Sequence, residues 1–218
     1  MVTNDAYVYG EVVTQPTLDH IKNSVDIYCF IIKVMRLSGA YDTLPVQLPG
    51  QLLVRHKIMQ GAMIGVVGQF RSYSYRDCER RHLRLYIFAL EIGESLPTVT
   101  NYIAISGTLC KPPVYRVTPY GREVTDLLIA VNRPNERLDY LPVIVWNGNA
   151  RFTSALAPGT HLVLIGRMQS REYNKVLPDG NAQRGTAYEV SAFFTEVTEE
   201  IVSVEDYKRE VTDCGNVF

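Results

Sequence analysis

Hydrophobic and polar positions alternate strictly through the second half of the chain. Between Val124 and Val131, Leu127, Ile129 and Val131 alternate with Asp126, Leu128 and Ala130. A period of two predicts a strand with one buried face. The run LDYLPVIVW repeats the pattern, with Leu141, Val143 and Val145 on one face and Tyr140, Ile144 and Trp146 on the other. A third run, HLVLIGRMQSREY, carries Gly166 in its middle, and glycine inside a strand signals a bulge or a tight bend. Between the second and third runs, NARFTSALAPG has room for about two helical turns, with Gly159 as the stop signal.

The resulting order is strand, hairpin, strand, strand, short helix, strand, strand over ~100 residues, which fits the five-stranded OB-fold. The order occurs twice. At an offset of 97, Asn4 matches Asn101, Gly10 matches Gly107, Pro16 matches Pro113, and Arg36 matches Arg133. Leu44-Pro45-Val46 matches Leu141-Pro142-Val143 at the same offset. After one added residue, Gly61 matches Gly159 and Gly68 matches Gly166. So constant a register predicts tandem copies of one fold. The expected class is all-β, with two tandem five-stranded OB-fold barrels, each with a short helix between strands 3 and 4. The boundary is expected near GESLPTV, where Gly93 and Pro97 interrupt the strand pattern. That gives a diverged N-terminal copy over 1–97, a C-terminal copy over 98–197 and a short acidic tail over 198–218.

Motifs of the second copy resemble the bacterial single-stranded DNA-binding protein (SSB) family. Gly107, a P-x-x-R-x-x-x-x-G hairpin (Pro113, Arg116, Gly121) and the AVNRP strand end with Arg133 carry the likeness. So do Trp146 at a strand end and G-x-x-x-S-R-x-Y (Gly166, Ser170, Arg171, Tyr173). Val117 departs from the aromatic that the family often has before the turn, and Tyr120 is its nearby substitute. The duplicated layout resembles a tandem-OB branch of the family from Gram-positive anaerobes, over residues 4–197. The resemblance implies non-sequence-specific binding and protection of single-stranded DNA in replication, recombination or repair. It also implies a homodimer with four OB-folds, and replication or repair proteins as partners. A primosome-like adaptor that mainly binds protein is the alternative. The first copy favours it, because Thr43 and Pro49 stand where Tyr140 and Trp146 stand. Cys29, Ile31 and Met35 also leave one strand face unusually apolar.

Binding single strands without sequence preference requires aromatic faces that stack bases and cations that neutralise phosphates. Trp146, Tyr140, Tyr120 and Tyr173 are the stacking candidates. Trp146 and Tyr140 lie out of phase with the core residues of their strand, which argues against a core role. Arg116, Arg122, Arg133, Arg151, Arg167, Arg171 and Lys175 are the phosphate candidates. In the first copy Arg36, Arg71, Tyr73, Tyr75 and Arg76 are available. Residues 77–84 and 174–186 read as long hairpin tips carrying Arg and Lys, a loop that in OB-folds folds over nucleic acid.

The net charge of −1 does not suggest a polyanion partner. Its distribution changes the picture: residues 1–197 carry +3 and residues 198–218 carry −4. The tail ends Gly215-Asn216-Val217-Phe218, without the acidic-Pro-Phe tip of the family, and is expected to be a short frayed strand or helix. Four scattered cysteines form no C-x-x-C pair and read as reduced thiols. With no apolar run long enough to span a membrane and no basic and apolar leader, a cytoplasmic protein is expected. There is no phosphate-binding glycine loop and no nucleophile elbow. His20, His56, His82 and His161 lack metal spacing, and no paired carboxylates suggest a two-metal site. Neither enzyme activity, nor a cofactor, nor a metal is expected.

Overall fold

A computed structural model of the chain describes residues 2–76, 81–93, 99–133, 137–176 and 182–213. One order of elements runs through them twice. The first barrel comprises β1 (Asn4–Val12), β2 (Thr17–Lys22), β3 (Val25–Met35), β4 (Tyr41–Pro49), α1 (Gly50–Arg55), β5 (Met63–Arg76) and β6 (Arg81–Gly93). The second comprises β7 (Asn101–Leu109), β8 (Val114–Val117), β9 (Glu123–Asn132), β10 (Leu138–Trp146), α2 (Asn147–Ser154), β11 (His161–Val176) and β12 (Ala182–Thr198). A last helix, α3 (Val204–Asp213), follows. The all-β class with tandem OB barrels holds. The outer arm of each hairpin, β2 or β8, pairs with β3 or β9 as a further strand, so the helix follows the fourth strand in chain order.

Alternation drives the packing. In β9, Leu127, Ile129 and Val131 are buried while Asp126, Leu128 and Ala130 are half-buried. Ile32, Leu44, Leu48, Phe70 and Ile87 fill the first barrel, and Ile129, Leu141, Leu162 and Leu164 the second. Each barrel closes by a short parallel pairing, β4 with β6 and β10 with β12, and by a second partner for its first strand, β3 or β9. Both barrels bulge at the same place, between Val67 and Gly68 and between Ile165 and Gly166. A Cβ at Gly166 would lie 2.3 Å from the Ser191 carbonyl oxygen, and one at Gly68 would lie 2.2 Å from that of Phe88. No side chain fits there, and this is the physical basis of the glycine that the sequence repeats.

The barrels share a backbone ladder. β1 pairs antiparallel with β7, from Asn4 opposite Ile105 to Val8 opposite Asn101. The twelve strands thereby form one sheet, in the order β2-β3-β4-β6-β5-β1-β7-β11-β12-β10-β9-β8, symmetric about the β1–β7 seam. Two matched side-chain clasps lie beside the seam. Asp139 accepts a hydrogen bond from the Ser72 backbone N–H at 2.5 Å, and Ser72 Oγ accepts from the Tyr140 N–H at 2.8 Å. On the other side, Asp42 accepts from the Ser170 N–H at 2.7 Å, and Ser170 Oγ accepts from the Thr43 N–H at 3.0 Å. Arg133 donates to Asp139 and Arg36 to Asp42. Both aspartates are essentially sealed from solvent, at 1% and 0% exposure. A buried carboxylate is tolerable only when paired and hydrogen-bonded.

The acidic segment after β12 folds back. α3 lays Val204 and Tyr207 over Ala104, Val163 and Ile165, with Val2, Tyr102, Phe194 and Val202 around them. Tyr207 donates to Glu196, and Lys208 pairs with Asp5 with its ammonium 4.6 Å from the Tyr102 ring centre. Residues 214–218, which include the terminal Phe218, lie outside the described residues. So do 77–80 and 177–181 at the hairpin tips and 94–98 at the expected boundary.

Removing Asp139 leaves the Ser72 N–H without its acceptor and the half-buried Arg133 without its counter-charge. Asp139→Ala is expected to cost about 3 kcal/mol of stability, and Asp139→Asn, which keeps an acceptor, less. Urea unfolding followed by Trp146 fluorescence checks both; equal stability of Asp139→Ala and the parent would refute the clasp.

Candidate functional site

The sequence places Trp146 at the end of β10, out of phase with the core. There it forms the wall of an open groove of about 640 Å³ on the second barrel. Trp146 is half-buried, and its indole N–H donates to Ser191 Oγ at 3.0 Å. Arg116 comes from the hairpin arm β8 and Arg171 from the outer part of β11. Thus Trp146, Arg116 and Arg171, far apart in sequence, line one groove. Lys111, Gln169, Asp126 and Glu189 line it with them.

The groove carries both signs of charge. Arg116 makes a two-pronged contact with Asp126, at 2.8 and 3.1 Å. Hydrogen bonding to Asp126, aided by the charges of Asp126 and Glu189, holds the Arg116 guanidinium pKa above its ordinary value. Gln169 donates to Glu189 at 2.8 Å. Lys111 and Arg171 are exposed in this groove, whereas Arg116 is already engaged by Asp126. Next to the groove, Arg151 pairs with Glu123 at 3.0 Å, and the Tyr115 hydroxyl donates to Glu123 at 2.5 Å.

The other singled-out residues are dispersed. Tyr120 is 93% exposed at the hairpin turn, beside exposed Arg122. Tyr173 is exposed on β11 and lies across Gly185, whose missing side chain leaves room for the ring. The side chain of Lys175 lies outside the described residues. Tyr140 lines a shallow pocket of about 220 Å³ at the barrel junction, with Tyr73, Arg133 and Arg137. Tyr73 and Tyr75 stack with centroids 6.4 Å apart, and Tyr75 stacks on His82 at 5.1 Å. Arg76 is exposed at the end of β5.

Four further candidate arginines are engaged within the protein. Arg133 is only 14% exposed at its side chain and donates to the Ser72 carbonyl at 2.8 Å as well as to Asp139. Burial alone would lower its pKa, but the hydrogen bond and charge of Asp139 outweigh that and hold it above the ordinary value. Arg36 is fastened to Asp42, and Arg167 approaches the same carboxylate at 3.6 Å. Arg71 lies over the Phe88 ring at 4.0 Å, with its pKa pushed down by burial and by neighbouring Arg133. The sequence does carry a signal for this engagement. An arginine followed six positions later by an aspartate occurs at Arg36/Asp42 and again at Arg133/Asp139. Lys111 and Gln169 carry no such signal, since only the barrel's closure brings them beside Trp146. Among the described residues, no group of three or more His, Cys, Asp or Glu could hold a metal ion, and no helix is long and apolar enough to cross a membrane.

Residues 100–197 match the family described as the single-strand binding protein family. The single-stranded DNA-binding protein of Thermus aquaticus is 36% identical over 73 residues, covering 31% of this chain and 28% of that protein. Single-stranded DNA-binding protein 3 of Listeria innocua is 32% identical over 80 residues, covering 34% of this chain and 50% of that protein. The matches thus span half or less of these relatives' own length. Among solved structures, the wild-type single-stranded DNA-binding protein from Thermus aquaticus aligns over 90% of this chain and 93% of that one. Its TM-score is 0.70 at 22% identity. A deletion variant of that protein aligns over 93% and 97%, with a TM-score of 0.67 at 23% identity. At these identities the structural likeness is one of fold, and it extends over both barrels. The family resemblance read from the sequence is borne out.

Ser191 holds the Trp146 ring through its indole N–H. Ser191→Ala is expected to cost about 1 kcal/mol or less of stability while making Trp146 more accessible to acrylamide quenching. Unchanged quenching would show that the hydrogen bond does not position the ring.

Proposed function

We propose, from the premise that residues 100–197 form a module of the single-strand binding protein family, that this chain binds single-stranded DNA without sequence preference. Its role is to cover exposed strands in replication, recombination or repair, by binding and not by catalysis, in the cytoplasm. The observation that carries this reading is the groove in which Trp146 stands beside Arg171, Arg116 and Lys111. An aromatic face accepts any base, since every base has a π face, and cations beside it accept the intervening phosphates. Binding through these elements weakens as salt rises, because the displaced counterions are then less favourably released.

The reading is tested on Trp146, the only tryptophan in the chain. Titration with poly(dT) is expected to quench its fluorescence strongly at low salt and less at high salt. Trp146→Ala is expected to weaken binding by more than about 1 kcal/mol, while Thr43→Ala, at the first-barrel position that matches Tyr140, leaves it unchanged. Absence of quenching together with absence of an oligonucleotide mobility shift would turn the assignment to the protein adaptor. Exposed Met35, Leu37 and Tyr41 on the first barrel support that second reading.

We further propose that two copies associate, which would bring four barrels together. Light scattering at micromolar concentration is expected to give twice the 24.6 kDa of one chain. A mass of one chain across the whole concentration range would refute the dimer.

A further inference from the structure

The two barrels meet at a second groove, of about 380 Å³, that no sequence motif announces. β2, β4, β5 and β6 of the first barrel form its floor, and Arg133 and Arg137 of the second barrel overhang it. In the register of the repeat it is the counterpart of the Trp146 groove: Gln47 stands for Ile144 and Tyr73 for Arg171. Its chemistry differs. Lys22, Arg84 and Arg137 are exposed at its rim. Among the described residues the side chains of Lys22 and Arg137 have no hydrogen-bond or ion-pair partner.

Carboxylates here are few and already committed. Asp19 accepts from Arg84 at 2.9 Å, from Gln47 at 2.9 Å and shares a 2.7 Å contact with His20 Nδ1. Asp139 is held by Arg133. Of the four cations that line the groove, Arg84 and Arg133 are paired with Asp19 and Asp139, which leaves Lys22 and Arg137 without a counter-charge, in a chain whose net charge is −1. The crowding is physical: the Lys22 pKa is pushed down by burial and then by repulsion from Arg137, Arg71 and Arg133. Uncompensated like charges around an open groove attract an anion, which relieves their mutual repulsion.

The surroundings point to what kind of anion. Tyr73 is on the rim, 59% exposed, and it continues into the Tyr75–His82 stack. The shallow Tyr140 pocket adjoins the groove and shares Tyr73, Arg133 and Arg137 with it. Phosphate-holding cations next to a run of aromatic rings suit a phosphodiester chain with bases, better than an isolated phosphate.

We propose that the barrel junction is a second strand-binding site, in which Lys22, Arg84 and Arg137 hold backbone phosphates of single-stranded DNA whose bases lie on Tyr73 and Tyr75. This rests on the reading of the chain as a single-strand binder and deepens it. The Trp146 groove, with its mixed charge, stacks bases; the junction neutralises backbone and makes the first barrel a participant.

The test uses the full chain, the double variant Lys22→Gln/Arg137→Gln, and two oligo(dT) probes. One is about 8 nucleotides long, within the span of a single barrel, and one about 30, long enough for two. The double variant is expected to bind the long probe at least tenfold more weakly at low salt. Its dependence of log affinity on log salt should be shallower by about 1.4, the value for two lost phosphate contacts on a single strand. Quenching of Trp146 by the short probe should be unchanged, which also reports intact folding. Lys22→Arg should bind as the parent does. An unchanged affinity and slope for the long probe, or equal weakening of both probes, would overturn the site. Inorganic pyrophosphate separates the two sources of phosphate: if it binds the parent but not the double variant, while long-probe affinity is the same in both, the site takes free anions and the strand assignment falls. If neither probe quenches Trp146 nor shifts in mobility with the parent, the binding function itself fails; parental binding with an indifferent double variant fails the junction alone.

Discussion

Five residue pairs between β1 and β7 decide where everything else in the molecule lies. The first strand of a barrel has a free edge, and a free edge invites pairing with another chain. Here each first strand closes the other's edge within one chain. The antiparallel register sets an approximate two-fold relation between the barrels, and the clasps at Asp42–Ser170 and Asp139–Ser72 follow from it. The N–H groups of Ser72 and Ser170 that satisfy these buried carboxylates both come from the opposite barrel, so it is the ladder that supplies them.

Around this seam the two barrels share a core design and differ on their surfaces. Both bulge at the same glycine, and both hold their first strand through an asparagine: Asn4 brackets Phe70, and Asn101 brackets Met168, each by two backbone hydrogen bonds. On the outside, Trp146 has Pro49 as its counterpart, and Arg171 has Tyr73. Tyr102, which packs under α3, has Asp5, to which Lys208 of α3 pairs. The last helix therefore uses the difference between the barrels: its apolar side rests on the second barrel and its lysine reaches the first.

The repeat, the bulge at Gly166 and the outward phase of Trp146 were legible in the sequence because each is a local rule. Strand period, close backbone approach and hairpin turn all act over a few residues. What was not legible depends on distance. In the strand-end motif Arg133 reads as a free cation, yet it is folded onto a buried Asp139 and a carbonyl of the other barrel. The partner at six residues could have been noticed; the Ser72 carbonyl could not. Lys22 and Arg137 are 115 positions apart, and only the seam brings them to one groove. The acidic end of the chain was read by its charge, whereas Val204 and Tyr207, spaced three apart on one helical face, are what dock it.

A nucleic acid strand has a head and a tail. A molecule with a true two-fold axis offers an incoming strand the same surface twice, in opposite senses, and so cannot tell which end arrives first. Joining the copies in one chain lets each position be substituted once instead of twice, and Thr43, Pro49 and Tyr73 opposite Tyr140, Trp146 and Arg171 are the result. The two ends of this molecule are thereby chemically different, which is the condition for a bound polymer to be ordered along it in one direction.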